Sequence, residues 1–203
     1  MPGRARHDGF GGSVAGMKCL PRSIAFLLAS SLLAFCAHAA DAWTELAKPG
    51  TIVLFRHATA PGVGDPQGFK LDDCSTQRNL NDEGRAEARR LGELFRSRKV
   101  QVGAVLSSQW CRSRETARLA FGDQVRDEPV FNSFFGKGTD ARDAQVAKAR
   151  AFLSRWRGPG ALVVFTHQVV IQSLVGVGAA SAQGVVIRPG PGGLYQAVAT
   201  IEP

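Results

Sequence analysis

Two histidines and two arginines in this chain are of types that can act together on a phosphoryl group. They are Arg56, His57, Arg112 and His167. The planar guanidinium of arginine donates two parallel, charge-assisted hydrogen bonds to phosphoryl oxygens. An imidazole near guanidinium groups is biased towards its neutral form, which keeps a lone pair for attack on phosphorus. These residue types therefore indicate phosphoryl chemistry, provided that the fold brings them together.

Three short apolar runs precede these residues and are predicted to be buried strands of a parallel sheet, because they are nearly all apolar and do not alternate. The runs are Thr51–Phe55, Ala104–Leu106 and Ala161–Phe165. The arginine–histidine pair directly follows the first run, Arg112 follows the second by six residues, and His167 follows the third by two. In an open α/β sheet, ligands bind at the carboxyl ends of the strands. We therefore expect the four side chains to converge at one edge of the sheet.

Helical patterns alternate with these strands. The predicted helices cover about Asp82–Arg98, a short segment after Arg112, about Asp140–Trp156, and Val169–Val175, and further strands are expected near Val185–Arg188 and Leu194–Ile201. Asn81 is a suitable N-cap for the first helix. The alternation predicts a three-layer α/β/α fold with a mostly parallel central sheet. Two long connections, Ala58–Leu80 and Val130–Thr139, are expected to be lids or binding loops.

The N-terminus has the pattern of a secretory signal peptide preceded by an upstream extension. Basic residues after Met17 are followed by the apolar stretch Ile24–Ala37 and by Ala-His-Ala at residues 37–39. The apolar stretch is short for a bilayer span. Cleavage after Ala39 would leave residues 40–203 as a single domain with a net charge of +5 instead of +8. We therefore expect a secreted, periplasmic protein with no stable membrane insertion after cleavage.

Four segments resemble signatures of the histidine phosphatase (phosphoglycerate-mutase-like) superfamily. Leu54–Ala58 is similar to its Arg-His-Gly signature, with alanine in the third place, and Arg78–Ala88 is similar to its R-x-L-T-x-x-G-R-x-x-A segment. Leu106–Ala117 matches its S-S-x-x-x-R-x-x-x-T-A segment, and Phe165–His167 matches the strand of the second histidine. Each motif is weak alone, but the four occur in the family's order. The chain thus resembles an exported bacterial-type member.

The resemblance implies a fold, an activity and a role for each residue. The fold would be phosphoglycerate-mutase-like, and the activity phosphomonoester hydrolysis without a cofactor. His57 would attack phosphorus and carry a transient phosphoryl group. Arg56, Arg112 and His167 would bind the phosphoryl oxygens and stabilise the transition state. Arg78 would support the pocket or form a salt bridge to the following helix. The substrate would be a phosphorylated small molecule, such as a sugar phosphate of the cell envelope.

The chain departs from the family pattern at the general acid. Many members carry an acidic residue in an L-N-E type segment, whereas the comparable stretch here, Phe131–Phe135, has Ser133 in that place. The proton for the leaving group is then expected from another acid or from no side chain. The acids considered are Asp65, Asp72, Asp73 and Glu128. Asp73 and Arg78 are expected to act as an acid or as supporting residues of the site.

The two cysteines beyond the predicted signal peptide are expected to form a disulfide. Cys74 lies in the long first loop, and Cys111 lies beside Arg112 at the same edge of the sheet. An exported protein reaches an oxidising compartment, where two thiols facing one pocket tend to pair. The alternative is two free thiols. A bridge requires Cα atoms within about 7 Å of each other.

The sequence is also compatible with two other functions. One is a protein that binds a phosphoryl ligand in the same basic pocket with little or no turnover. The other is binding to nucleic acid or an anionic envelope surface, which rests only on the net charge of +8. The predicted signal peptide and the lack of basic runs interleaved with aromatic residues count against nucleic acid. Without clustered Asp or Cys beside the histidines, and without a Gly-Lys-Ser/Thr loop, we expect neither a metal nor ATP.

Overall fold

The computed structural model describes residues 41–203, which form a six-stranded sheet flanked by helices. The strands are β1 (Ile52–Arg56), β2 (Val102–Ser107), β3 (Val125–Asp127), β4 (Ala161–Thr166), β5 (Gly184–Pro189) and β6 (Tyr195–Ile201). The helices are α1 (Ala42–Leu46), α2 (Asp82–Ser97), α3 (Cys111–Phe121), α4 (Thr139–Leu153) and α5 (Gln168–Val175). The predicted signal peptide lies outside the described residues. None of the described helices is long and apolar enough to span a membrane.

The strand order is β3-β2-β4-β1-β5-β6. The first four strands of this order pair in parallel, and β5 and β6 add an antiparallel edge next to β1. The prediction of a mostly parallel α/β sheet is therefore confirmed. Strand β4 lies between β2 and β1 and is parallel to both, so the carboxyl ends of the three predicted core strands lie side by side.

The sheet separates two apolar cores because successive strand residues point to opposite faces. Ile52 and Leu54 of β1 belong to one cluster, which buries α4 and α5. Val53 and Phe55 belong to the other, which buries α1, α2 and α3. Strands that are apolar on both faces need helices on both faces, so the uniform apolar runs of the sequence and the three-layer architecture have the same cause.

Helix α2 begins as the sequence predicts. The Asn81 side chain accepts a hydrogen bond from the Gly84 backbone N–H at 2.9 Å and caps the helix. Gly84 is required where it stands, because a Cβ there would overlap the backbone of Thr59 in the first long loop. Glu87 of the same helix accepts hydrogen bonds from the Thr59 backbone N–H and hydroxyl at 2.8 and 2.9 Å. The helix therefore holds the start of the loop that follows β1.

Some element bounds differ from the predictions, and two elements were not predicted. Helix α4 ends at Leu153, three residues before Trp156, because the chain turns there and the Trp156 N–H donates to the Leu153 carbonyl at 3.1 Å. Helix α1 has five residues and β3 has three, too few to show a hydrophobic period. Ala42 and Leu46 of α1 are buried members of the second apolar cluster, whereas Val125 of β3 is partly buried against it.

Candidate active site

The two histidines lie side by side at the ends of neighbouring strands. The register of β1 and β4 pairs Arg56 with Thr166, so His57 and His167 are the next residues on the two strands. The His57 N–H donates to the Thr166 carbonyl at 2.9 Å and extends the pairing by one residue. The two imidazole rings are 5.4 Å apart between centroids, edge to face. Both side chains are buried at the floor of one cavity.

A hydrogen bond to the backbone fixes the tautomer of His57. Its Nδ1 lies 2.8 Å from the Ala58 carbonyl oxygen, which can only accept a hydrogen bond. Nδ1 therefore carries the proton, and Nε2 keeps the lone pair. The pKa of His57 is lowered to about 3, chiefly by burial, which the hydrogen bond to the Ala58 carbonyl opposes and the charges of Arg112, Arg78 and Arg56 reinforce. His57 is thus an uncharged imidazole at neutral pH.

His167 is also held neutral. Burial lowers its pKa well below the ordinary value, and His57 and the three arginines add to the shift. Its Nε2 lies 2.8 Å from the hydroxyl of Ser108, which follows β2. Residues after three strands therefore meet in this cluster. A neutral imidazole still offers one N–H donor to a ligand.

Two arginines line the same cavity. Arg112, in the first turn of α3, is only 3% exposed, and Arg56 ends β1. The Arg56 side chain is held by a bond from Nη1 to the Ala179 carbonyl at 3.1 Å. The Nε atoms of Arg56 and Arg112 are buried and have no hydrogen-bond partner among residues 41–203. Both residues line the cavity, and guanidinium groups are suited to bind an anionic ligand there.

The carboxylate of Asp65, in the long first loop, forms an ion pair with the guanidinium of Arg112. Its carboxylate accepts from Arg112 Nη1 at 2.7 Å and from Nη2 at 3.2 Å. It also accepts from Trp110 Nε1 at 2.9 Å and from the Arg78 backbone N–H at 3.1 Å. Burial would raise the pKa of Asp65, but these hydrogen bonds outweigh it and keep the pKa below its ordinary value. Asp65 is therefore ionised and is not poised to donate a proton.

The cavity over these groups has a volume of about 230 Å³. Its charged and imidazole-bearing lining residues are Arg56, His57, Asp65, Arg78, Arg112 and His167. Its remaining side chains are Val63, Phe69, Trp110, Ser133, Phe135, Gln168 and Val169. All four residues that the sequence singled out for phosphoryl chemistry line it, as the strand-end argument expects. Residues 41–203 contain no group of three His, Cys, Asp or Glu side chains placed to hold a metal ion.

The model of the histidine phosphatase superfamily (branch 1) matches residues 52–157, just over half of the chain. The chain belongs to the histidine phosphatase superfamily. This match includes β1 to α4 and three of the four proposed site residues, while His167 lies ten residues beyond it. No curated protein sequence matches the chain.

Solved structures of superfamily proteins have the same fold. An Escherichia coli protein assigned as an α-ribazole-5′-P phosphatase aligns with a TM-score of 0.58 and 19% identity, covering 74% of this chain and 95% of its own. The protein histidine phosphatase SixA, solved with tungstate, gives a TM-score of 0.53 and 13% identity over 75% of this chain and 96% of its own. A phosphoserine phosphatase mutant of Entamoeba histolytica gives a TM-score of 0.52 and 13% identity over 74% of this chain and 95% of its own. At these identities the likeness establishes a phosphoglycerate-mutase-like α/β fold.

Arg78, in the family's second motif, braces the loop and does not form a salt bridge to α2. Its Nε donates to the Gly64 carbonyl at 2.7 Å, and its Nη1 donates to the Ala60 carbonyl. Its own carbonyl accepts from Arg112 Nη1 at 3.3 Å. Arg78 therefore supports the pocket from within the loop, and it also lines the cavity.

Asp72, Asp73 and Glu128, the other acids that could protonate the leaving group, do not line the cavity. Asp73 caps a 3₁₀ turn at Cys74–Thr76, where its carboxylate accepts from the Ser75 backbone N–H at 3.0 Å and from the Ser75 hydroxyl at 2.6 Å. Glu128 caps another turn by accepting from the Val130 N–H. Asp72 is exposed. Ser133 does line the cavity, so the side chain in the usual acid position is a buried hydroxyl.

The predicted disulfide between Cys74 and Cys111 is confirmed. The two sulfurs are bonded, with 5.7 Å between the Cα atoms. Cys111 is the first residue of α3, and its backbone N–H donates to the Gln77 side chain at 3.1 Å. The bridge thus fastens the long first loop to the turn of helix that carries Arg112.

The aromatic residues of the cavity were not singled out by the sequence analysis. Trp110 stands two residues before Arg112 in the third motif, and its ring lies 5.3 Å from that of His167 and 5.7 Å from that of Phe69. Its position within the motif was the available signal. Phe69 and Phe135 lie in the two long connections, where no periodic pattern indicates which side chains point inwards.

Proposed function

We propose that the protein is a phosphomonoester hydrolase that acts through a phosphohistidine intermediate on His57. The observation that carries this proposal is the state of His57: an uncharged imidazole with its proton on Nδ1 and its lone pair on Nε2, in a cavity that Arg56 and Arg112 also line. A nucleophile and the groups that bind the phosphoryl oxygens thus line one cavity.

In the first step, Nε2 of His57 attacks phosphorus in line and the ester P–O bond breaks. The alkoxide or phenoxide leaves and takes a proton from solvent water. In the second step, water attacks the phosphohistidine, the P–N bond breaks, and inorganic phosphate and neutral His57 are formed. Arg56, Arg112 and His167 donate hydrogen bonds to the equatorial oxygens in both steps and stabilise the transition state.

Turnover of 4-nitrophenyl phosphate tests this proposal. The purified protein should hydrolyse the ester in the presence of a chelator, and His57→Ala should lower kcat by at least about 10³-fold because it removes the nucleophile. His167→Ala should lower kcat strongly, because it removes one phosphoryl ligand. If His57→Ala turned over at the wild-type rate, the proposal would be wrong.

A second function is favoured by one specific observation. Asp65 is the only acidic side chain that lines the cavity among residues 41–203, and it is held ionised. A protein with this basic cavity and no proton donor could bind phosphoryl ligands with little or no turnover. Binding of phosphate or vanadate together with undetectable hydrolysis of nitrophenyl, phenyl and alkyl esters would select this alternative. Competition by free phosphate would separate either function from a surface-charge interaction.

We further propose that residues 1–39 direct export to the periplasm and are removed there, and that the substrate is a phosphorylated small molecule. The basic, apolar and Ala-x-Ala order of the N-terminus supports the first part. Protein recovered from the periplasmic fraction should begin at Ala40 by intact mass. Recovery of the full-length chain in the cytoplasm would contradict export.

A further inference from the structure

Five of the side chains that line the cavity are apolar or aromatic. They are Val63, Phe69, Trp110, Phe135 and Val169, which we call the apolar wall. Phe135 lies against Gly64, since a Cβ at that glycine would be 3.7 Å from the edge of its ring. Trp110 is fixed by its hydrogen bond to Asp65 and stands between Phe69 and His167. The apolar wall therefore includes Trp110, whose ring lies 5.3 Å from that of His167, and residues of the two long connections.

Part of this wall is exposed although it is apolar. Phe135 is 60% exposed and Val63 is 88% exposed. Residues 41–203 contain four large hydrophobic side chains that are exposed, and these two line the same cavity. Exposed apolar surface that gathers at a concave site commonly marks a binding surface. Since the phosphoryl group would bind to the arginines of the cavity, the part of a substrate that can contact the apolar wall is its leaving group.

The charges of the cavity match one phosphoryl group and no second anion. Arg56, Arg78 and Arg112 carry three positive charges, Asp65 carries one negative charge, and both imidazoles are neutral, so the lining carries a net charge of +2. A phosphomonoester dianion neutralises this charge. A carboxylate or second phosphate on the leaving group would lie against the apolar wall without a cation.

The uncharged polar lining is also sparse. It consists of the side chains of Ser133 and Gln168. The Ser133 hydroxyl already accepts a hydrogen bond from the Phe135 backbone N–H at 3.2 Å. A sugar with several hydroxyl groups would leave most of them unpaired against rings, and each unpaired polar group that is desolvated weakens binding.

We infer that the leaving group is flat, apolar and uncharged, so that the preferred substrates are aryl phosphomonoesters and phosphomonoesters of aryl-substituted alcohols. This inference rests on the proposed phosphatase function. The rings of Phe69, Trp110 and Phe135 contact the aryl group, while the phosphoryl group binds to the arginines. The apolar wall thus determines specificity, and sugar phosphates are poor substrates.

Benzyl phosphate and glucose 6-phosphate test the inference, because both are esters of primary alcohols and differ chiefly in the group that meets the wall. The wild-type protein should prefer benzyl phosphate by at least about tenfold in kcat/KM. Phe135→Ala should lower kcat/KM for benzyl phosphate by about 3- to 10-fold, the contribution of one aromatic contact, mainly through KM. It should change the value for glucose 6-phosphate less than twofold. Leu194→Ala, another large exposed residue outside the cavity lining, is the control and should change neither.

Binding of phosphonates keeps the inference testable without turnover. By calorimetry, phenylphosphonate should bind more tightly than methylphosphonate, and Phe135→Ala should remove most of that difference. Equal affinities, or a preference for glucose 6-phosphate, would overturn the inference while leaving phosphatase function intact. Failure to hydrolyse any phosphomonoester, with the phosphonate preference retained, would overturn the proposed function and support the apolar wall.

Discussion

At the scale of single residues, the proposed chemistry depends on which groups hold protons. His57 lies among three arginines and has its Nδ1 bonded to a carbonyl, so a second proton would charge a buried ring in a positive environment. Asp65 has the opposite surroundings, because four donor contacts from three residues stabilise its negative charge. One environment keeps a base uncharged and the other keeps an acid ionised.

The titration of His57 tests the first of these environments. With its pKa lowered to about 3, His57 should remain neutral as the pH falls from 8 through 6.5 and gain a proton only towards about 3. NMR of ¹⁵N-histidine-labelled protein measures this, with His57→Ala assigning the signal. An Nε2 resonance of His57 that titrates near the ordinary value of about 6.5 would contradict this environment.

The role of Asp65 is tested by Asp65→Asn, which keeps the shape and removes the charge. We expect kcat/KM for 4-nitrophenyl phosphate to fall by about 10- to 100-fold, because hydrogen bonds to charged groups are worth about 1.5–3 kcal/mol. The loss should be the same for phenyl phosphate, since Asp65 orients Arg112 and does not protonate the leaving group. Asp72→Asn, in the same loop but exposed, should stay within twofold. A loss confined to phenyl phosphate would make Asp65 the general acid.

The dependence of kcat on the acidity of the leaving group tests whether the site has a general acid. With Ser133 in the usual acid position, 4-nitrophenyl phosphate should react much faster than phenyl phosphate, because nitrophenolate departs without protonation. Both esters present a ring to the apolar wall, so the comparison isolates proton donation. Equal kcat values would show a competent acid, and Asp72, Asp73 and Glu128 should then be replaced one at a time.

The sequence predicted the positions of the residues that follow strands, but for residues of the long loops it gave only candidates and not their contacts. Arg56, His57 and His167 could be placed because a strand end fixes their position, and Arg112 because it lies just beyond one in a motif. The contacts of Asp65 and Phe135 could not be predicted, since each lies in a long connection without a hydrophobic period. Which of the several loop acids would meet Arg112 depends on how the loop closes.

At the scale of elements, the site is built from three parallel strand ends and one fastened loop. β1 and β4 place the histidines, the turn after β2 places Arg112, and the loop after β1 brings Asp65 across the cavity. The strands were predictable because burial on both faces demands continuous apolar runs. The short β3 and α1 were not, because their positions are set by neighbours that pack against them. The disulfide fixes the loop relative to α3.

Removal of the disulfide tests the importance of this fastening. Cys74→Ala combined with Cys111→Ala should lower the free energy of unfolding by about 2–4 kcal/mol, because the bridge closes a loop of 37 residues in the unfolded chain. It should also raise KM, since Asp65 and Arg112 lose their common anchor. Denaturant unfolding and steady-state kinetics measure the two effects. A reductant should reproduce both in the wild-type protein and have no further effect on the double variant, and unchanged stability would contradict the prediction.

At the scale of the whole molecule, the superfamily fold supplies the scaffold and the loops supply what is particular to this chain. Structures with 13–19% identity have the same fold, so the three-layer arrangement tolerates almost complete replacement of its residues. The arginine and histidine motifs lie at strand ends, where that scaffold fixes them. The disulfide, Asp65 and most of the apolar wall lie in or next to the two long connections, and we propose that this region determines substrate choice.

The central claim is that His57 carries the phosphoryl group during turnover. The protein should be mixed with 4-nitrophenyl phosphate, denatured within milliseconds at alkaline pH, where phosphohistidine survives, and digested for mass spectrometry. Phosphate should be found on His57, attached through Nε2, and should be missing from the His57→Ala protein. Phosphate on another residue, or full turnover with no phosphorylated protein at any quench time, would contradict the account.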